Sequence, residues 1–422
     1  MKEILKRIYS DFQDKNFEIT KREAVLPDIS GRIHTIIGPR RAGKTFFLYQ
    51  IIAGLIKSGT GRDKILFLNF EDERLKFTQD DNYDVIFDAF LELHPGTRPA
   101  ELHIFFDEIQ TLPKWEKFVR RVFDGVSRNL YITGSNSAML SKEIASSLRG
   151  RNYATRVLPL SFREYLKFKK IDLKNRHGLS GSSKINAVFS EFLVFGGYPE
   201  IVSYPPEIKI SVLQNYFDLI IYRDLIERYD IGRPDILRYL MKKIVASATK
   251  EFSVNKIYNE LKSSGHSVSK DTLYSIVEYI KNIFFCEFVE KHHRSVSVRE
   301  GLNKKTYLYD SGIMSALNFG LSQDRGKLLE NMVFIELIRR NSNVFYAKNG
   351  FECDFIIAGR AGKDTAVQVV YELNGENYKR EIAGLEAVRA SKKMLIYKEN
   401  NSGVKDSRFI DIIDWLLEGG II

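Results

Sequence analysis

The sequence predicts an α/β protein of several domains that opens on a parallel sheet covered by helices on both faces. Three observations carry this. Across residues 31–160, short apolar stretches alternate with amphipathic helical ones, the pattern of strand–helix–strand units in a parallel sheet. The first apolar stretch runs into a glycine-rich loop that opens a helix. A later one ends on two adjacent acids, Asp107 and Glu108.

The elements follow in order. Residues 31–37 (GRIHTII) read as a buried strand entered from a turn. They lead directly into Gly38-Pro39-Arg40-Arg41-Ala42-Gly43-Lys44-Thr45 and then the apolar helical stretch FFLYQIIAGLI. The glycines let the backbone curl so that successive N–H groups face one anion, and the helix adds the partial positive charge of its N-terminus. The G-x-x-x-x-G-K-T spacing is that of a phosphate-cradling P-loop. All eight residues are candidates for binding ATP. Lys44 can reach the β- and γ-phosphates, and the Thr45 hydroxyl can ligate Mg²⁺. Arg40 and Arg41 read as residues that shape or shield the phosphate pocket.

Residues 64–70 (KILFLNF) form a second buried strand, whose trailing acids Glu71-Asp72-Glu73 cap the next turn. Residues 102–106 (LHIFF) form a third, and Asp107 at its end suits the carboxylate that holds the Mg²⁺ shell. Glu108 suits the polarisation of a water for attack on the γ-phosphate. Residues 129–133 (NLYIT) form a fourth, ending in Gly134-Ser135-Asn136-Ser137. If this strand lies between the P-loop strand and the Asp107 strand, a polar residue at its tip reaches the γ-phosphate or the attacking water. Ser135 and Asn136 are the candidates, with a capped turn before the helix SAMLSKEIASSL as the alternative. Arg149-Gly150-Arg151 closes that helix. An arginine here either stabilises transition-state charge, in cis or across a subunit boundary, or simply opposes the helix dipole. Arg151 is preferred over Arg149 as the finger.

Residues 166–235 read as helices without chemical motifs, broken at Gly196-Gly197-Tyr198-Pro199. In 236–310, Ser253 and Ser269 can cap two helices separated by a turn at Gly265, and two strands follow. This is the layout of a winged helix. Its second helix would expose Lys270, Asp271, Tyr274, Ser275 and Glu278, and two acids suit a major groove poorly. The stretch between the strands, with Lys291, Arg294, Arg299, Lys304 and Lys305, is better suited to phosphates. The segment carries 13 Lys and Arg against 8 Asp and Glu, so DNA contact is one expectation and a packing module the other. His292 and His293 share no helical face, and no metal site is expected there.

Residues 326–422 order as a helix containing Glu330 and Glu336, strands NVFYA, FECDFII and AVQVVYEL, a helix, and the strand KMLIY. This order resembles the PD-(D/E)xK, restriction-endonuclease-like fold. The resemblance implies that Asp354 stands for its strand aspartate and Glu330 or Glu336 for its helix glutamate. Gln368-Val369-Val370 stands where Glu-x-Lys belongs, so an inactive fold used for binding is expected. The segment's 14 basic and 14 acidic residues also argue against a strong DNA groove.

GPRRAGKT, FFDEIQ with KWEKFVRRVFD, YITGSNSAML, SLRGR and LPLSFREYL resemble a family of prokaryotic AAA-like P-loop ATP-binding proteins. FGGYPEIV, IYRDLIERY, LYDSGI and GKLLENMVFIELIRR resemble the domain of unknown function that usually follows this ATPase domain. The resemblance implies an ATPase domain over 1–165, a helical region over 166–235, a winged-helix-like domain over 236–310 and a nuclease-like domain over 311–422.

Composition narrows the function classes. Over 422 residues, 64 Lys and Arg face 54 Asp and Glu, a net charge of +10, which permits a polyanionic partner without requiring one. Two cysteines, Cys286 and Cys353, exclude a disulfide framework and a cysteine-built zinc site. No apolar run approaches the roughly 20 residues that cross a bilayer, and the N-terminus lacks a signal-peptide core. A cytoplasmic protein without a membrane partner is expected, with protein partners or a homo-oligomer left open. The function expected is Mg²⁺-dependent ATP binding and hydrolysis used as a conformational switch. A nucleotide-gated DNA- or protein-binding regulator with negligible turnover is the alternative, and a nucleotide-dependent nuclease the third reading.

Overall fold

The computed structural model describes the chain apart from residues 28, 30, 138–147, 149, 175, 294, 318–323, 341, 360–361 and 419–422. The helix expected over SAMLSKEIASSL, Arg149 and Arg294 therefore lie outside the described residues. The chain divides into two compact units, Met1–Leu158 and Pro159–Ile422.

In the first unit the strands are β1 (Ile33–Ile37), β2 (Ile65–Asn69), β3 (His103–Asp107), β4 (Asn129–Gly134) and β5 (Asn152–Arg156). They pair in parallel in the order β2-β3-β4-β1-β5. β1 is buried at every position, as expected of an apolar strand covered on both faces. β4 lies between β1 and β3, the arrangement on which the reading of its tip depended. Helices Lys2–Gln13, Lys44–Lys57, Val85–Leu93 and Trp115–Gly125 flank the sheet sequence. The last buries Trp115, Phe118, Val119, Val122 and Phe123, one stripe at helical spacing. Because all five strands run the same way, the residues that follow β1, β3 and β4 gather along one edge.

The second unit begins with helix Phe162–Phe168, started by a capping box between Ser161 and Glu164. Helices Leu179–Phe195 and Pro206–Leu219 follow, the latter running into a π-helical stretch, Ile220–Glu227. Helix Pro234–Ala246 and the short strand β6 (Glu251–Phe252) precede helices Val254–Ser263 and Lys270–Asn282. Ser253 and Ser269 cap these two helices by accepting from Lys256 N–H and Thr272 N–H, as the sequence predicts. Strands β7 (Cys286–Val289) and β8 (Lys304–Leu308) complete an antiparallel sheet with β8 in the middle, β6-β8-β7. The basic stretch between β7 and β8 contains a short helix, Val296–Gly301.

Helix Arg325–Arg339 leads to β9 (Val344–Asn349), β10 (Phe351–Ile357), β11 (Thr365–Leu373), helix Tyr378–Glu386, β12 (Lys392–Asn400), β13 (Phe409–Asp411) and helix Ile412–Glu418. The sheet order is β13-β12-β11-β10-β9, with β9, β10 and β11 antiparallel and β11, β12 and β13 parallel. β6, β13 and the last helix add to the predicted elements. One hydrophobic cluster extends from Leu160 to Leu417, so the three segments expected after residue 165 share a core. Two of the sequence motifs meet inside it. Buried Asp310 of LYDSGI accepts from the N–H groups of Gly197 (2.7 Å), in FGGYPEIV, and Gly312 (2.8 Å).

Candidate functional site

The site is built at the C-terminal edge of the parallel sheet. After Ile37 the chain turns so tightly beside Val157 that a Cβ on Gly38 would stand 2.0 Å from the Val157 carbonyl oxygen. Gly43 takes φ 95° as the residue before helix Lys44–Lys57, a left-handed conformation that glycine adopts without a Cβ penalty. Lys44 is buried at the start of that helix. Its ammonium donates to the carbonyls of Gly38 (3.3 Å) and Pro39 (3.1 Å) and pairs with Glu108 Oε1 at 3.3 Å.

The neighbouring residue makes the link to β3. Thr45 Oγ1 donates to Asp107 Oδ2 at 2.7 Å. The other carboxylate oxygen, Asp107 Oδ1, accepts from Thr133 Oγ1 on β4 at 2.6 Å. The Thr133 oxygen in turn accepts from the Glu108 N–H at 2.9 Å, and Glu108 Oε2 accepts from Gln110 Nε2 at 2.6 Å. Lys44, Thr45, Asp107, Thr133 and Glu108 thus form one connected network across three elements. Glu108 has φ 50°, a strained conformation for a non-glycine residue and one that concentrates at functional sites.

Electrostatics separates the two acids. Burial raises Asp107 to about 6, and the Glu108 charge adds to this, while the Thr133 and Thr45 hydroxyls and Lys44 pull it back. Burial also pushes Glu108 upward, but Lys44, Gln110 and Arg40 outweigh it and hold Glu108 below the usual carboxylate range. Glu108 is therefore an ionised acceptor at neutral pH, the state a base requires. Among the described residues, no three His, Cys, Asp or Glu side chains converge as a metal cage. Mg²⁺ needs none, since it is commonly held by one or two carboxylates and the phosphates of its substrate. The buried carboxylate of Asp107 hydrogen-bonded to the Thr45 hydroxyl is a hard oxygen pair that suits it.

Arg40 pairs with Glu71 (3.0 Å) at the loop's margin, so Glu71 does more than cap its own turn. Arg41 takes φ 62° within the loop, and Ala42 is buried there. Ser135, which is buried, and half-buried Asn136 follow the tip of β4. The strand residue that touches the acids is Thr133, which the sequence reading passed over as part of the strand interior. Its signal was a polar β-branched residue at the buried end of a strand beside the Asp107 strand.

Arg151 is not brought to the loop. β5 pairs with β1 so that Ile33 faces Asn152 and Ile37 faces Arg156. Arg151 therefore sits at the opposite edge of the sheet from the loop, roughly 15–20 Å away at strand spacing. Its guanidinium is bonded to Asp124 and lies 6.0 Å from the Phe123 ring centroid. A finger acting in cis on this loop is corrected to an anchor for helix Trp115–Gly125.

In the second unit, two of the acids expected of a nuclease-like site, Glu330 and Asp354, are joined by Glu352 around a lysine that the sequence suggests for phosphate contact. Lys305 is 2% exposed, and its ammonium lies 2.7 Å from Glu352, 3.2 Å from Glu330 and 3.5 Å from Asp354. Glu336 instead pairs with Arg339 and Arg340, which leaves Glu330 as the helix acid beside Asp354. Gln368 donates to Glu381 Oε2 at 2.7 Å, and Val370 is buried among apolar side chains. The phosphate-contact reading of Lys305 is corrected, because a buried, triply paired ammonium cannot meet DNA. Arg299 and Lys304 both pair with Glu290.

Residues 30–166 match the AAA domain family, and residues 186–325 match a domain of unknown function, DUF8612. The protein MJ1544 of Methanocaldococcus jannaschii is 38% identical over 378 residues, spanning 88% of this chain and 82% of the relative. This chain belongs to the MJ1544 family. A Haemophilus influenzae protein is 28% identical over 391 residues, 92% of this chain and 94% of its own. The solved Walker-type ATPase PABY2304 of Pyrococcus abyssi aligns over 76% of this chain and 96% of its own, at 12% identity and TM-score 0.43. This MJ1544-family chain thus carries a P-loop domain of AAA type over residues 30–166. No helix among its described residues is long and apolar enough to cross a membrane.

Proposed function

We propose that the loop from Gly38 to Thr45 binds the triphosphate of ATP, that Thr45 and Asp107 hold Mg²⁺, and that Glu108 orients and activates the attacking water. The observation that carries this reading is the unbroken network Lys44–Glu108–Thr133–Asp107–Thr45 at the strand edge. Bound Mg²⁺ would offset the charge that develops on the β- and γ-oxygens. The protein's part is positioning. Thr133 turns one Asp107 oxygen toward β4 and leaves the other for Thr45. The Lys44 ammonium, shared here by two carbonyls and Glu108, meets stronger acceptors in a triphosphate. Its departure frees the Glu108 carboxylate for water, so phosphate binding itself arms the base. Gln110 keeps one Glu108 oxygen oriented meanwhile.

Calorimetry tests the binding half. Lys44→Ala should abolish ATP binding, and unchanged affinity sinks the assignment. Glu108→Gln should bind Mg²⁺–ATP with near-native affinity and turn over ~10²–10⁴-fold more slowly. Normal hydrolysis in that variant removes the role given to Glu108.

We further propose that hydrolysis serves a conformational switch whose output is the Pro159–Ile422 unit, with a winged-helix module over 236–310 and an inactive nuclease-like fold after it. The helix and strand order around the central β8 supports the first module. Lys305 among Glu330, Glu352 and Asp354 supports the second, since an ammonium there neutralises acids that would otherwise attract a metal. DNA contact draws weaker support, because Arg299, Lys304 and Lys305 are all paired internally. Steady-state hydrolysis with and without duplex DNA separates the readings. Stimulation that is lost at high salt favours a DNA-associated switch, and equal rates favour a protein-directed one.

A further inference from the structure

Arg22 precedes β1 in a stretch without regular secondary structure, yet it is only 5% exposed. A buried guanidinium is costly unless its donors are satisfied, and this one is satisfied at both rims of the phosphate loop. Nη1 donates to the carbonyl of Ala42 and Nη2 to the carbonyl of Leu158, each at 2.7 Å. Ala42 lies at the end of the loop that enters the helix. Leu158 follows Val157, whose N–H donates to Ile37 O at 2.8 Å and whose carbonyl is packed against Gly38 at the loop's start. The Arg22 backbone is itself fixed to the helix after the loop. Its N–H donates to Gln50 Oε1 (2.7 Å), and its carbonyl accepts from Gln50 Nε2 (3.3 Å).

We propose that Arg22 is a positioning residue for nucleotide binding, a clasp that holds the phosphate loop at its binding width and aims one of its amides. A trans peptide is planar, so the C=O of Ala42 and the N–H of Gly43 point in opposite directions. Fixing the Ala42 oxygen on Arg22 turns the Gly43 N–H away from Arg22. Gly43, with no side chain to resist rotation of that peptide, has most need of such a fix. The planar fork of arginine reaches two carbonyls in one fixed orientation, which the single ammonium of lysine does not reproduce. Phosphate affinity thereby depends on a residue outside the eight-residue motif. The proposal rests on the ATP reading above.

The test compares wild type with Arg22→Ala and Arg22→Lys by calorimetry with Mg²⁺–ATP, steady-state kinetics and thermal melting. Wild type is expected to bind ATP. Arg22→Ala is expected to raise Kd and KM ~10-fold or more, with a smaller fall in kcat because Asp107, Glu108 and Thr133 are untouched. Added guanidinium ion should restore KM in Arg22→Ala and leave Lys44→Ala inactive. A folded Arg22→Ala protein with native Kd, KM and kcat overturns the clasp, as does one with a raised KM that guanidinium does not lower. Should Arg22→Ala fail to fold, Arg22→Lys decides. A KM raised severalfold at a native melting temperature upholds the clasp, and native kinetics overturns it. Wild-type protein that binds no ATP overturns the nucleotide reading and the clasp together, whereas native binding in the variants overturns the clasp alone.

Discussion

Asp107 occupies a place that resists its charge. Burial raises its folded-state pKa to about 6 from 3.8, so ionisation opposes folding. The cost is absent below about pH 4, grows as pH rises toward 6 and is complete above that. A shift of this size corresponds to about 3 kcal/mol. Replacing Asp107 by Asn removes the charge and keeps an acceptor for one threonine. Nucleotide-free Asp107→Asn protein should therefore be more stable than wild type by ~1–3 kcal/mol at pH 8, with the difference vanishing near pH 4, while hydrolysis is lost. Denaturant melts at the two pH values check it, and equal stability at pH 8 refutes it. Lys44, Thr45, Asp107 and Glu108 were legible in the sequence because their spacing and strand ends announce them. Thr133 and Arg22 were not, because their roles depend on which backbone groups the fold delivers to them.

At the scale of the element, β8 was the hardest to read. KKTYL looks like one side of a basic wing, yet β8 is the central strand of its sheet. Alternation then puts Lys305 and Tyr307 on one face, and both bond to Glu330. The acids hold the Lys305 pKa well above its usual value against the opposing effect of burial. Burial and the Glu330 charge raise Asp354 to about 8 in spite of Lys305. Lys305→Met keeps the stem and deletes the charge, stranding Glu330 and Asp354, while Glu352 keeps Lys348 at 3.4 Å. The expected loss is on the order of 3–5 kcal/mol at pH 8. The sign follows from the acids. Without the ammonium their pKa values climb further, protonation relieves them as pH falls, and the deficit should shrink toward pH 5. Unfolding curves at pH 5 and 8 measure it, and a deficit that grows on acidification contradicts the network. By contrast, the capped helices starting after Ser253 and Ser269 needed only local rules, and they form where those rules put them.

For the whole molecule, the division at Leu158 and Pro159 sets what nucleotide can do. ATP that binds the folded first unit stabilises it by mass action, about 2.7 kcal/mol at a hundredfold excess over Kd. The expected outcome is a rise in the melting temperature of wild type with Mg²⁺–ATP and none in Lys44→Ala. If the Pro159–Ile422 unit is the output of the switch, its protease cleavage pattern should change between ATP and ADP in wild type and stay constant in Lys44→Ala. Identical patterns in wild type would remove the switch and leave a simple ATPase.

Local chemistry wrote the phosphate loop, the acidic strand end and the capped helices into the sequence, because each needs only a handful of neighbouring residues. The tertiary structure decided what those pieces meet. Strand order put β4 between the loop and the acids and so recruited Thr133. Parallel pairing of β5 carried Arg151 to the far edge. Burial turned Lys305 from a surface cation into the counter-ion of three carboxylates. These outcomes depend on contacts between residues distant in the chain, and linear spacing does not encode which of them will form.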